Sequence, residues 1–265
     1  MTAIDPLIAA APKRRLSDDL RGAIGAGEIE LRYQPQVAMA DGRIIGVEAL
    51  ARWQHPTLGE LGADRLFAAA TRAALLPELS QHIQRKAIGS IPLWPASLQH
   101  LTVAINVTAS DLASPGFAED LLRRAPSVGV APARLTVEVT EHDLIADLSA
   151  AAAVLGGLRA AGVKVALDDF GTGYSSLAWL KALPLDYLKI DGALSRDLLG
   201  SRHDQVVVRH VIAIGRELGL GVIAEGVETE AHRALLAEAG ATHYQGFLCA
   251  GPLAAAALAA LVEAR

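Results

Sequence analysis

Cysteine is almost missing from this chain: Cys249 is the single thiol in 265 residues. It cannot close an intramolecular disulfide, and a zinc site built on cysteine pairs is excluded. The lone thiol reads as a core residue and suits a reducing compartment. Aromatic residues are scarce at 4%, so the 52% hydrophobic content is carried by Ala, Leu and Val, the interior of a helix-covered sheet. There is no positive excess. With a net charge of −5 the chain lacks the electrostatic footprint of a protein that binds duplex nucleic acid, and a small anionic ligand would need a locally basic or metal-filled pocket. No uncharged apolar run reaches the roughly 18 residues of a membrane helix, so no membrane contact is expected. The opening MTAIDPLIAAAPKRR is no secretion signal, because its basic cluster follows the apolar stretch and Asp5 and Pro6 interrupt that stretch. A cytoplasmic protein is expected, with residues 1–15 a flexible tail and 16–265 one domain.

What the chain does have is a rhythm. Residues 16–26 suit a short helix, and IELRYQPQVA (29–38) alternates as a strand. A turn at Asp41 and Gly42 leads into IIGVEALARW (44–53), an antiparallel opening pair. Afterwards apolar runs at 101–106, 134–139, 163–167, 185–190, 221–225 and 242–247 alternate with helical stretches such as 142–161 and 203–218. Those helical stretches end near Gly162 and Gly219. Eight strands separated by helices favour a (β/α)8 barrel with an antiparallel first strand over an open doubly wound sheet.

In such barrels the reactive residues sit at the C-terminal strand ends. Those ends carry Glu48, Asn106, Glu138, Asp168 with Asp169, Asp191, Glu225 and Gln245, and the opening strand carries Gln34. On its own, the Asp168–Asp169 pair in VKVALDDFGTGYSSL (163–177) equally suits a strand end followed by a turn cap. The other strand ends tip the balance. Two positions before four of them lie Gly46, Ala104, Thr136 and Ala166, small residues that leave room under the rim for polar side chains. Lys189 shares a face with Asp191, and Arg52 lies just beyond Glu48. Six carboxylates against these two cations leave an excess of four negative charges, which two divalent ions would neutralise. The donors are all oxygen, so Mg²⁺ or Mn²⁺ is favoured, and a pair of such ions suits in-line hydrolysis of a phosphate ester.

The blocks YQP (33–35), EALARW (48–53), INVT (105–108), EVTE (138–141), DDFGTGYSSL (168–177), LKID (188–191), AEGVE (224–228) and QGF (245–247) resemble, in order, those of the EAL-domain family of cyclic di-GMP phosphodiesterases. The resemblance covers about 16–261 and implies a function and a site. Glu48, Asn106, Glu138 and Asp168 would hold one metal, and Asp168 would bridge to a second served by Asp169 and Glu225, with Asp191 close by. Lys189 would position the attacking water; Glu48, Asp169 and Glu225 would share in catalysis. Gln34, Arg52, Asp191, Glu228 and Gln245 would contact substrate or orient the site. Glu141 would anchor the DDFGTGYSSL loop, which would couple metal binding to homodimerisation. The ions would be two Mg²⁺ or Mn²⁺ with Ca²⁺ inhibitory, the substrate cyclic di-GMP and the product linear 5′-pGpG. The chain departs from the family pattern at Ala51, at Phe247 and in GADRLFAAATRAALL (62–76), where Thr71 replaces a common Glu.

Other motifs fail. Gly171 and Gly173 are followed by Ser176 where a dinucleotide fingerprint needs glycine, and no Walker lysine follows. His142 and Asp143 lack the second metal-type histidine spacing of a histidine–aspartate phosphohydrolase, and Asp143 suits a helix start. Trp53, Trp94 and Trp179 read as packing residues, Trp53 beside Arg52 being the one candidate base platform. The rival from another class is a catalytically silent receptor for cyclic di-GMP or a protein partner; such receptors lose metal ligands first, and none is lost here.

Overall fold

The computed structural model describes residues 13–144, 147–171, 177–195 and 198–265. Among the described residues nine strands form a single sheet: β1 (Ile29–Ala38), β2 (Ile44–His55), β3 (Gly59–Leu61), β4 (Thr102–Asn106), β5 (Leu135–Thr140), β6 (Lys164–Phe170), β7 (Tyr187–Ile190), β8 (Gly221–Ala224) and β9 (His243–Gln245). β1 is antiparallel to both β2 and β9, while β2 and β4 to β9 run parallel in chain order. That closes an eight-stranded α/β barrel with an inverted first strand, as the strand count and the turn at Asp41 and Gly42 imply. β3 was not legible in the sequence. It extends β2 beyond the barrel, where Trp53, Gln54 and His55 pair with Leu61, Glu60 and Gly59.

Strand alternation divides the side chains between two environments. One face of each strand carries Val47, Val103, Ile105, Val137, Val139, Val165, Leu167, Leu188, Ile190 and Val222, all buried under the helices. The alternate positions, facing the barrel axis, are small or polar, among them Gly46, Ala104, Thr136, Ala166 and Lys189. The helices meet the sheet through apolar stripes such as Leu79, Ile83 and Ala87 in Leu76–Ser90, and Val208, Ile212 and Gly215 in Arg202–Glu217. At Gly215 the approach is close: a Cβ there would lie 2.8 Å from Val222.

Caps fix where these helices begin. The side chains of Thr108, Asp147, Ser201 and Thr229 each accept a backbone N–H from the first turn. Asp147 also corrects the single helix expected over 142–161. A 3₁₀ turn at His142–Leu144 comes first, and the helix proper is Leu148–Ala160, because a side chain that caps N–H groups cannot sit inside a continuous helix. Of the tail expected over 1–15, residues 1–12 lie outside the described residues and 13–15 fall within the helix Lys13–Ala26. Half of the DDFGTGYSSL stretch, 172–176, also lies outside them.

At the end of β9 the chain turns on Gly246, where a Cβ would stand 2.2 Å from the carbonyl oxygen and 2.4 Å from the amide nitrogen of Val227. Backbone cannot move aside as a side chain can, so Gly246→Ala should cost about 1–3 kcal/mol or more. A thermal midpoint several degrees below wild type is expected by calorimetry; an unchanged midpoint would contradict this packing.

Candidate active site

Lys189, on β7, is completely buried inside the barrel. Its Nζ lies 2.8 Å from Glu225, 2.9 Å from Asp168, 3.0 Å from Glu138 and 3.4 Å from Glu48. Acids from three strands, and Glu225 just past a fourth, thus converge on one ammonium. Burial opposes the charge on Lys189, but Asp168, Glu138, Glu225 and Glu48 outweigh it and hold the amine well above its ordinary pKa. One cation does not neutralise this many acids. Burial first, then repulsion from neighbouring carboxylates, raises Asp168, raises Glu138 well above the usual range, pushes Asp169 up to about 6 and lifts Glu225 to about 8. Glu48 goes the other way: burial is offset by the Lys189 charge and by hydrogen bonds from Gln245 and Asn106, which together lower it.

Asp168 and Asp169 are neighbours in sequence and would face opposite sides of a regular strand. They do not, because β6 is irregular between Leu167 and Phe170 in its pairing with β7, and Asp169 adopts a left-handed backbone with φ 56°. Such a break re-aims a side chain, and the Asp169 N–H donates to Asp168 Oδ1 at 2.8 Å. Oxygens of Asp168, Asp169 and Glu225 all lie within 4.8 Å of one another, as do oxygens of Glu48, Glu138 and Asp168. Two oxygen-donor sets therefore share Asp168. Hard donors, carboxyls displaced upward by excess negative charge, and a shared bridge fit a pair of divalent cations.

Amides complete the cage. Asn106 donates to Glu48 Oε1 at 3.1 Å, and Gln245 donates to Glu48 Oε2 at 2.6 Å and to Gln34 Oε1 at 3.1 Å. Gln34 stands directly opposite Glu48 across the β1–β2 pair. Asp191 belongs to neither donor set. It accepts the Ala193 N–H at 2.7 Å, and its charge still helps to raise Asp169. Glu228 is exposed, three residues past Glu225. Arg52 projects beyond the rim, its guanidinium donating to the Ala51 carbonyl at 2.8 Å and lying 4.0 Å from Glu60. Glu60 also accepts from Arg32 at 3.0 Å and Gln54 at 2.7 Å, so β3 supplies the acid that restrains this basic edge. The carboxylate of Glu141 is buried, with no hydrogen-bond partner among the described residues.

One member of the cage was missed in the sequence. Gln36, buried two residues after Gln34 on the same face of β1, donates to Glu138 Oε1 at 3.5 Å. Gly46 makes room for it: a Cβ there would lie 3.3 Å from Gln36 Oε1 and 2.3 Å from Thr102 Oγ1. The period-two spacing from Gln34 was the available signal. Asp143 is a loop pin, as a structural reading of that pair implies, accepting from the Ala109 N–H at 2.7 Å and from Thr140 Oγ1 at 2.6 Å. Trp53 is no base platform; it is fully buried and donates to Glu28 at 3.0 Å.

A barrel with an inverted first strand and a ring of carboxylates at its C-terminal rim defines a class of acidic, metal-competent sites. The chain belongs to the EAL domain family, whose model matches residues 17–252. The cyclic di-GMP phosphodiesterase NbdA of Pseudomonas aeruginosa is 38% identical over 259 residues, 97% of this chain and 33% of that protein. The chain spans only about a third to two-fifths of the length of the first such relatives. Among solved structures, the PaMucR phosphodiesterase in complex with c-di-GMP superposes with a TM-score of 0.86 at 36% identity, covering 92% of this chain and 99% of that one. Klebsiella pneumoniae BlrP1, solved with cyclic di-GMP and manganese or calcium, gives 0.76 at 32% identity over 85% of this chain and 56% of that one.

Removing the central cation tests the electrostatic description. Lys189→Met keeps much of the side-chain volume but leaves buried carboxylates without their counter-charge, which costs about 3–5 kcal/mol in comparable sites. Urea denaturation in a chelating buffer should show that loss. A variant as stable as wild type would contradict the central role of the ammonium.

Proposed function

We propose that this chain hydrolyses cyclic di-GMP to linear 5′-pGpG, lowering the level of a bacterial second messenger. The observation that carries the reading is the pair of oxygen-donor sets sharing Asp168 around Lys189. Glu48, Asn106, Glu138 and Asp168 would hold one Mg²⁺ or Mn²⁺; Asp168, Asp169 and Glu225 would hold the second, with Asp191 close by. Bound there, the ions supply Lewis acidity toward the phosphodiester and toward the attacking water.

The chain's own residues do the rest. Lys189 holds four carboxylates in register and keeps positive charge beneath the reacting phosphate. Asp169 and Glu225, whose oxygens lie within 4.8 Å of Asp168, are placed to take the proton from the attacking water. Water oxygen bonds to phosphorus as the bond to a ribose 3′-oxygen breaks, and that oxygen leaves with a proton. Arg52, beyond the carboxylates, pairs with the anionic substrate, while Gln34 and Gln245 orient Glu48 and Glu228 reaches the ligand from the rim. Glu141 anchors the loop that follows Asp169, the device through which a cytoplasmic homodimer would communicate with the metals.

Incubation with cyclic di-GMP and Mg²⁺ or Mn²⁺ should release pGpG, and chelation should stop it. Ca²⁺ should suppress turnover, because the larger ion takes more ligands at longer distances and spoils the spacing needed for in-line attack. Full turnover with Ca²⁺ alone would rule out the two-ion assignment.

Glu225→Gln keeps the side-chain size and removes the charge. Turnover should fall about 10²- to 10⁴-fold, while binding of cyclic di-GMP measured by calorimetry changes far less. A wild-type protein that binds cyclic di-GMP and never cleaves it, matched by the variant, would instead establish a receptor.

A further inference from the structure

We propose that Gln84 and Asp111 are positioning residues for Asn106, holding it from behind β4 as a ligand of the first cation, an inference that rests on the two-cation reading above. Gln84 is 1% exposed and lies on the apolar stripe of the helix Leu76–Ser90, beside Ile83 and Ala87. Ser80, one turn earlier, and Asp111, in the short helix Ala109–Leu112, are buried with it. Apolar side chains would fill these positions without taking an amide and a carboxylate out of water, so packing alone does not account for them.

Their hydrogen bonds gather on the chain as it leaves β4. Asp111 Oδ2 accepts from Ser80 Oγ at 2.6 Å, from Gln84 Nε2 at 3.1 Å, and from the N–H and Oγ1 of Thr108 at 2.9 and 2.8 Å. Gln84 Nε2 also donates to Ser80 Oγ at 3.1 Å and to the backbone carbonyl of Asn106 at 3.4 Å. The residue between is held by β5, the Val107 N–H donating to the Glu138 carbonyl at 2.8 Å. Asn106, Val107 and Thr108 are thus gripped one after another, the first and last by the Gln84–Asp111 pair.

The Asn106 side chain is committed at one end. Its Nδ2 donates to Glu48 Oε1 at 3.1 Å, so its Oδ1 is the end left for a cation. Partners that orient a ligand from behind raise metal affinity without touching the metal. Gln84 contacts the Asn106 backbone and none of the clustered carboxylates, so its influence on a cation must pass through Asn106. That route separates a positioning role from ordinary packing.

The test reads Mn²⁺ binding by electron paramagnetic resonance of the free ion, with thermal melting in chelator alongside. Gln84→Met keeps the side-chain length and removes the amide; Asp111→Asn keeps the shape and removes the charge. Each should bind one of the two Mn²⁺ about tenfold or more weakly. Turnover lost at limiting Mn²⁺ should return when Mn²⁺ is raised. In an Asn106→Ala background, Gln84→Met should change Mn²⁺ affinity by no more than about twofold, because residues that act through one another are not additive. If Gln84→Met does not fold, Asp111→Asn takes its place in that cycle. Wild-type affinity in either variant overturns the role of that residue. The same loss with and without Asn106 overturns the positioning route and marks a packing defect; in both cases the two-cation reading stands. Wild-type protein that binds no Mn²⁺ sinks that reading and this inference together.

Discussion

The contact between the Lys189 ammonium and the carboxylates of Glu48, Glu138, Asp168 and Glu225 is the constraint on which this structure depends. Each of these charges is expensive to remove from water, by several kcal/mol per ion even after relaxation. Only a scaffold that brings the acids to one point with good hydrogen bonds can tolerate them together. The barrel does so because each acid comes from a different strand, Glu48, Glu138 and Asp168 from within β2, β5 and β6 and Glu225 from just past β8, and the parallel register of β2 and β4 to β9 brings them to one level. The apolar outer faces of the same strands, sealed by capped helices, supply the stability that the polar interior does not.

The interior is arranged in depth. Beneath the acids lie the small side chains of Gly46, Ala104, Thr136 and Ala166, and the space at Gly46 admits Gln36 to support Glu138. At the level of the acids, Asn106 and Gln245 orient Glu48, and Gln34 accepts from Gln245. Farther along β2, Arg52 is steadied by Glu60 of β3. An all-oxygen ring open on one side and dry on the other suits cations that must be held rigidly while a phosphodiester approaches from the rim.

Much of this was legible in the sequence, for a definite reason. Polar residues closing short apolar runs mark strand ends, so Glu48, Asn106, Glu138, Asp168 and Gln245 were read directly from the pattern. Lys189 was recognised as sharing a face with Asp191, but spacing along one strand does not reveal that acids of four other strands converge on its ammonium. Asp169 was harder: period-two alternation sends it away from Asp168, and only the irregular pairing and left-handed backbone return it to the cluster. β3 is too short for any periodicity to show. The break at Asp147 is hidden because the alanine-rich run beyond it favours helix whichever residue starts it.

The central claim is that this ring is a two-cation site bridged by Asp168. Electron paramagnetic resonance of the protein loaded with Mn²⁺ and a non-hydrolysable cyclic dinucleotide measures that most directly, since two ions sharing a carboxylate are magnetically coupled. The account predicts two Mn²⁺ per chain with a coupled spectrum, and loss of the coupling in Asp168→Asn. A single uncoupled Mn²⁺ in the wild-type protein, unchanged by that substitution, would contradict it.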